Sequence, residues 1–589
     1  MQTMSGRLCL FSKRQKIETD KEQERENMGK KYQGVLTEKE EFLYPDSVSE
    51  TLPESIRVVM PKNGKQGIQL LLDTTGDEIQ MDFEGDGFYA EWYEMIAVPV
   101  EYNTGDGENQ GGAMVLVEEQ KETPAYATRK APFFVYDCLK EQQTGKIPAR
   151  ESENDRRAAV YFCICPEKEL EAGEYSVMVT AKMAEGIYQL RVTVQIYDVR
   201  IPENTFWVTN WFSEEAICRF HGVEKGSEEY LQMLRKYIQT MRRMHQNVFF
   251  IQLDEKCVTA RKPYQFDFEY LTPEIEAFFE AGMQYMELGV LLDRGKKSDG
   301  MPDMYTEHFT CAMAKEVPFE TLEGYELTVT FVKSLANYLT KHGWEKRVLF
   351  HIHDEPDIHY QTQEVLEARK RQYYLAAGIL RKYIPGIRII EAVDSAEFRG
   401  GIDIWVPGTA GYEKKKEEFD TLIRLGETVW TYVCCGPEGH WLNRFLDFAL
   451  LKGRMLFWGC AKNRISGFLH WGLNQFPGEM NPYEGTSCPN HTGIGTNFPC
   501  GDSFLIYPGK EGPRMGMRLE AQRRGAEDAA LWQMLRKVDE TAHDRLLGSV
   551  FTNNYTYKDS PELFAKVYEE LLSALQNVKQ KNTDERSKG

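Results

Sequence analysis

No stretch of the sequence supplies the roughly 18 uncharged apolar residues that a membrane-spanning helix needs. The opening segment, MQTMSGRLCLFSKRQKIETDKEQERENMGKKYQG, also lacks the apolar centre of a secretory signal. Residues 1–30 read as a flexible, solvated tail, with Met28 an alternative start. With no export signal, the 12 cysteines are expected as reduced thiols in a cytoplasmic protein. C-x-x-C knuckles are absent. Cys163 and Cys165 alternate along an apparent strand, Cys434 and Cys435 are adjacent, and Cys488, His491 and Cys500 read as loop rather than metal site. Basic residues are in deficit, 71 against 91 acidic ones, for a net charge of −20. That balance argues against nucleic-acid binding through a general electrostatic field and is compatible with a neutral substrate such as a sugar.

What the chain does have is apolar mass: 42% hydrophobic and 12% aromatic residues over 589 positions, ample for a large core. From residue 31 to 202 the text is strand-like. IRVVM, GIQLLLDTT, FYAEWYEMIAVPVEY, GAMVLVEE and AAVYFCICP are short β-branched and aromatic runs between turn residues. EYSVMVTAKMAEGIYQLRVTVQIYDVRIP reads as a hairpin around Ala184-Glu185-Gly186, and the whole as a β-sandwich ending at Pro202.

Beyond it the rhythm changes to strand and helix in alternation over residues 203–535. The candidate strands are FWVTNWF (206–212), NVFFIQL (247–253), MELGVLL (286–292), RVLFHIHDEP (347–356), IRIIEAV (387–393), IDIWVPG (402–408), TVWTYVCC (428–435) and SGFLHWGLN (466–474). Eight such strands predict a (β/α)8 TIM barrel, since no G-x-G-x-x-G follows any of them as an open dinucleotide-binding sheet would require. The fold class is therefore α/β: a barrel preceded by a β-sandwich and followed by a helical tail over residues 536–589. A long loop, 475–513, follows the last strand, and its length and aromatic content mark it as functional.

Active sites of such barrels lie at the carboxyl ends of the strands. The fourth strand ends in His351, His353, Asp354, Glu355 and Pro356, with Pro356 expected to stop the ladder. Alternation predicts His351, His353 and Glu355 on one face and Asp354 on the other. Two neighbouring carboxylates raise the proton affinity of one of them, giving the protonated acid and ionised partner that glycosidic cleavage needs. A binuclear metal site built on His351-x-His353 would need histidines from other strand ends, and only His470 is placed to contribute. Sugar sites also need aromatic platforms, and Trp211, Trp405, Trp430, Tyr432 and Trp471 stand at or near strand ends. Asn474 is placed to hydrogen-bond a hydroxyl, and Asp394, after the fifth strand, is the other acid a two-carboxylate glycosidase would use.

These residues, together with GFLHWGLNQF, GDSFLIYPG and GPRMGMRLEAQRRGAEDAALWQML, resemble glycoside hydrolase family 123 and the associated domain of unknown function 4091, from about residue 45 to 535. The resemblance implies a β-N-acetylgalactosaminidase working by substrate-assisted catalysis. Glu355 would be the general acid/base, Asp354 would orient the substrate's 2-acetamido group, and Trp430 and Tyr432 would hold that group; His353 is a further candidate for binding substrate. An oxazoline intermediate, net retention, no metal and no cofactor follow from that scheme. The expected partner is a carbohydrate, with neither nucleic acid nor membrane, and a homo-oligomer is compatible. A glycosidase on another sugar using two opposed carboxylates, or a non-catalytic carbohydrate-binding barrel, are the alternatives.

Overall fold

The computed structural model describes residues 31–107, 114–118, 120–152, 156–490 and 497–588, with side chains as far as 580. The tail expected over 1–30, and His491 of the Cys488/Cys500 loop, lie outside the described residues. The fold is mixed α/β and divides into two compact units. Among the described residues, the smaller comprises 31–39, Leu43–Ile96 and Leu139–Arg200; the larger holds Glu40–Phe42, Ala97–Cys138 and everything from Ile201. The sequence reading kept residues 31–202 together, whereas Ala97–Cys138 goes with the larger unit. The reason is local: the buried Asp447 carboxylate accepts from the Thr104 N–H at 2.8 Å and its hydroxyl at 2.7 Å, and the Asp447 carbonyl accepts from the Thr128 N–H at 2.7 Å.

The strands of the smaller unit are hydrogen-bonded into one continuous sheet with two arms, joined by Lys146–Glu151, which pairs with Arg156–Pro166 in one arm and Glu78–Glu84 in the other. One arm pairs Glu50–Thr51, Gln33–Thr37, Gln66–Thr74, Arg156–Pro166 and Phe88–Val100, all antiparallel. The other pairs Lys146–Glu151, Glu78–Glu84, Gly173–Met183 and Gly186–Tyr197 antiparallel, and adds Ser55–Pro61 in parallel. Side chains alternate between faces along each strand, so Val160, Phe162 and Ile164 meet Val177, Val179, Val192 and Val194 in one buried cluster.

In the larger unit nine short strands run parallel: β1 (Trp207–Asn210), β2 (Val248–Gln252), β3 (Tyr285–Gly289), β4 (Val348–Phe350), β5 (Arg388–Val393), β6 (Ile404–Pro407), β7 (Thr428–Val429), β8 (Thr431–Tyr432) and β9 (Gly467–His470). β2 through β7 form one sheet and β8, β9 and β1 another. Hydrogen bonds join the two: Asn247 N–H to the Val208 carbonyl at 3.2 Å on one side, Trp430 N–H to the Trp405 carbonyl at 2.8 Å on the other. Val248, Leu349, Ile390, Ile404, Val406, Trp430 and Leu469 pack as one interior cluster. β7 and β8 are the two halves of the expected 428–435 strand, parted at Trp430.

The helices begin where the sequence signals them. Ser227, Thr321 and Thr362 cap Glu228–Arg243, Leu322–His342 and Gln363–Tyr383, each side chain accepting a first-turn N–H, with acids in the first turn and bases in the last. No helix separates β5 from β6, a departure from strict alternation. The C-terminal helix Pro561–Lys588 packs on the same unit, with Phe564 stacked on Trp458 at 3.9 Å and Arg454 lying over Phe564 and Tyr568. Among the described residues no helix is long and apolar enough to cross a membrane.

Candidate active site

β4 stops at Phe350, six residues before the proline expected to end it. The physical reason is Glu391 of β5, whose buried carboxylate takes the N–H groups of Ile352 and His353 at 3.1 and 3.0 Å, so that they never reach a ladder carbonyl. The Tyr373 hydroxyl donates to the same carboxylate at 2.9 Å. Beyond this hub the chain turns sharply. Glu355 adopts φ 53°, a left-handed conformation that costs a residue with a side chain free energy and clusters at functional sites. The strict alternation expected for residues 351–355 is therefore replaced by an irregular loop. Arg294 clamps it, donating to the carbonyls of Asp354 and Glu355 at 2.7 and 2.8 Å. The buried Arg369 guanidinium binds the carbonyls of Pro356, Ile358 and His359.

The acid pair thus stands on a pinned backbone, with both side chains partly exposed. Burial and the neighbouring Asp354 charge push the Glu355 carboxyl up to about 7, against the opposing pull of the Tyr432 hydrogen bond and Arg294. The Tyr432 hydroxyl, at the end of β8, donates to Glu355 Oε1 at 2.5 Å. Near neutrality Glu355 is poised to give up or take a proton, as an acid/base must be. Two residues on, Asp357 accepts from the Asp394 N–H at 2.9 Å and the Ser395 hydroxyl at 2.7 Å, which ties the β4 and β5 loops together.

The H-x-H pair does not form one ligand face. His351 is buried between two carboxylates, its Nε2 bonding Glu287 of β3 and its Nδ1 bonding Glu391 at 2.9 Å. Burial alone would depress its pKa, but the two carboxylates raise it to about 10, so the ring is a charged imidazolium. His353 lies against the Phe309 ring, centroids 4.2 Å apart, and burial with Arg294 and Arg369 nearby keeps it neutral. His470 accepts the Gly472 N–H on Nδ1 at 2.8 Å, which puts its proton on Nε2, facing Asp502 at 3.3 Å.

Of the expected aromatics, the structure brings Tyr432, Trp211 and Trp471 to strand ends with surface still exposed. Trp211 donates its indole N–H to Glu287 at 3.1 Å, stacks on Phe250 at 4.5 Å and meets His351 edge-on. Trp471 donates to Asp502 at 3.2 Å and packs beside Cys434 and Phe498. Trp405 and Trp430 are corrections. Ile404 and Val406 point into the interior cluster, so Trp405 between them faces the opposite way, fully buried, with its N–H on Glu427 at 2.9 Å. Trp430 belongs to the interior cluster and is 2% exposed; Gly467 is what admits it, since a Cβ there would lie 2.5 Å from the indole. Asn474 is corrected too: its side chain is spent on the Ser213 N–H and carbonyl, at 2.8 and 3.0 Å. Asp394 is exposed after β5.

Sequence reasoning passed over Glu287, Glu391, Arg294 and Asp502. A signal existed for the first two: Glu287 is the lone charge of MELGVLL and Glu391 lies deep in IRIIEAV, three residues past Arg388 at its start, where burial demands a partner. Arg294 sits in a loop and carried none; Asp502 stood in the GDSFLIYPG motif without a role.

Residues 211–535 match the family model described as glycoside hydrolase 123, catalytic domain. Among solved structures, a family 123 glycoside hydrolase from Clostridium perfringens, studied for glycolipid glycan hydrolysis, superposes with a TM-score of 0.68 at 12% identity. That match covers 94% of this chain and 99% of the other. A family 39 glycoside hydrolase from Bacteroides cellulosilyticus gives a TM-score of 0.34 at 12% identity, over 81% of this chain and 82% of the other. A comparison with curated proteins finds no match.

Proposed function

The chain belongs to glycoside hydrolase family 123, and on that premise we propose that it removes terminal β-linked N-acetylhexosamine, foremost N-acetylgalactosamine, by substrate-assisted catalysis with net retention. In this reading β1 to β9 are a closed (β/α)8 barrel, the two arms of the smaller unit's sheet pack as a β-sandwich, and the sugar sits at the carboxyl ends of the strands.

The observation that carries the proposal is the pairing of Asp354 with Glu355, whose carboxyl burial and the Asp354 charge raise to about 7 under the Tyr432 hydroxyl. An ordinary retaining pair is split across the scissile bond by about 5–5.5 Å. Acids adjacent in sequence on one loop instead suit a division of labour on one side of the sugar. Glu355 gives its proton to the leaving oxygen. Asp354 accepts from the acetamido N–H and builds negative charge on the carbonyl oxygen, which attacks the anomeric carbon. Water then opens the oxazoline, with Glu355 now taking its proton. Trp211 and Trp471 offer apolar faces to the pyranose. Glycolipid glycans, whose hydrolysis was studied with the Clostridium perfringens relative, belong in the substrate panel.

The test compares aryl β-N-acetylgalactosaminide with the matching aryl β-galactoside. Turnover of the first alone, inhibition by a thiazoline mimic of the intermediate, and a retained anomer in the initial product are expected. Equal turnover of the 2-hydroxy substrate, which has no internal nucleophile, would refute the mechanism.

A further inference from the structure

The two tryptophans left at the mouth are held by the same device. Trp211, one residue past β1, gives its indole N–H to Glu287 Oε1 at 3.1 Å, and Glu287 also receives the His351 Nε2 proton. Trp471, one residue past β9, gives its N–H to Asp502 Oδ2 at 3.2 Å, and Asp502 faces the His470 Nε2 proton at 3.3 Å. β1 and β9 are neighbours, with Asn210 opposite His470 and the Trp211 N–H on the His470 carbonyl at 2.9 Å. The two tryptophans therefore follow neighbouring strands, each partly exposed, each tethered to a carboxylate that is wholly buried.

A buried carboxylate is a costly partner for an indole N–H, which a backbone carbonyl or a water satisfies as well. Among the described residues the N–H of Trp430, in the interior cluster, has no hydrogen-bond partner, while the buried Trp458 also gives its N–H to a carboxylate, Asp528 at 2.7 Å; what sets Trp211 and Trp471 apart is that tether combined with a partly exposed ring at a strand end. Each carboxylate also has further neighbours. Thr209 donates to Glu287 Oε2 at 3.1 Å, while Arg444 and Arg518 act on Asp502 as neighbouring charges. Phe250 covers one face of Trp211, centroids 4.5 Å apart and 20° from parallel, which leaves the indole only one face to present. Fixing the N–H fixes the plane of that face.

We infer that Glu287 and Asp502 are positioning residues that set Trp211 and Trp471 as two fixed sugar-facing platforms, an inference that rests on the glycosidase reading. Neither carboxylate touches substrate; each acts through its indole.

The experiment is a double-mutant cycle read in KM for an aryl β-N-acetylgalactosaminide, because KM does not depend on how much of a preparation folds. Asp502→Ala and Trp471→Phe should each raise KM about tenfold with kcat within about threefold, and the double variant should be no worse than either alone. Asp502→Asn keeps an oxygen that accepts from the indole and should hold KM within about twofold of wild type. Glu287→Ala against Trp211→Phe is the parallel cycle, with Glu287→Gln as its conservative rescue, and carries the test where Asp502→Ala does not fold. Additive KM effects, or loss of thermal stability with KM unchanged, would show that the carboxylates are structural only and overturn the inference. Failure of the function reading looks different. The wild type would then turn over some other aryl glycoside, and the same cycle is read on that substrate; with no glycoside hydrolysed or bound, both readings fall.

Discussion

Tyr432 and Glu355 meet across the mouth of the larger unit, the hydroxyl at the end of β8 donating to Oε1 at 2.5 Å. The bond stabilises the ionised carboxylate and so works against the burial and the Asp354 charge that hold the proton on. Tyr432→Phe removes that counterweight. The variant should lose about tenfold in kcat, and its alkaline limb should move to higher pH than in wild type. A pH–kcat profile checks this, and an alkaline limb that stays put or moves down would contradict the assignment.

Glu355 itself predicts two trends with pH, one in activity and one in stability. As the acid it must be protonated, so kcat/KM for a poor leaving group should fall as pH rises through about 7. A dinitrophenyl leaving group needs no proton and should flatten that limb. For stability, the folded-state pKa lies above the ordinary 4.5, so between 4.5 and about 7 the folded protein holds a proton that the unfolded chain has released. Stability therefore declines as pH rises across that window. Glu355→Gln should lose at least about a thousandfold in turnover yet melt at a higher temperature than wild type at pH 8, with the gap closing at pH 4. Melting curves with no pH-dependent gap would mean that the carboxyl is not perturbed.

How far the site was legible in the sequence depends on which force set each residue. The strands could be read because alternation and β-branched runs are local signals: seven of the eight predicted segments contain the observed strands, and the eighth, 286–292, misses only Tyr285 at the start of β3. The acid pair could be read because Asp354-Glu355-Pro356 follows an apolar strand. The division between Trp211 and Trp405 could not, because it turns on which face of a strand each indole takes and what covers it. The early end of β4 could not be read either: Glu391, a side chain on the next strand, takes the amides that Pro356 was expected to release.

His351 tests the buried charge beneath the acid loop. Its folded pKa, held up to about 10 by Glu287 and Glu391, lies above the ordinary 6.5. Its contribution to stability is therefore fully present below pH 6.5 and lost as pH rises through about 10. His351→Gln strands two buried carboxylates without their cation and should cost about 3–5 kcal/mol at pH 6. Denaturant titrations at pH 6 and pH 10 measure this. A cost that is equal at both pH values would mean that the ring is neutral and only hydrogen-bonded.

Trp405 and Trp471 give the sharpest contrast between core and site, since sequence alone ranked them together. Trp405 is fully buried behind Ile404 and Val406, and its removal opens a cavity that β5 and β6 cannot collapse to fill. Trp405→Ala should cost about 3–5 kcal/mol of stability with KM unchanged in the folded fraction. Trp471 is partly exposed at the end of β9, so Trp471→Ala loses less buried area and should cost under about 2 kcal/mol while raising KM at least tenfold. Urea titration and steady-state kinetics on both variants separate the two roles. A KM that rises for Trp405→Ala would return that indole to the sugar site, and would mean that the strand faces are reversed at β6.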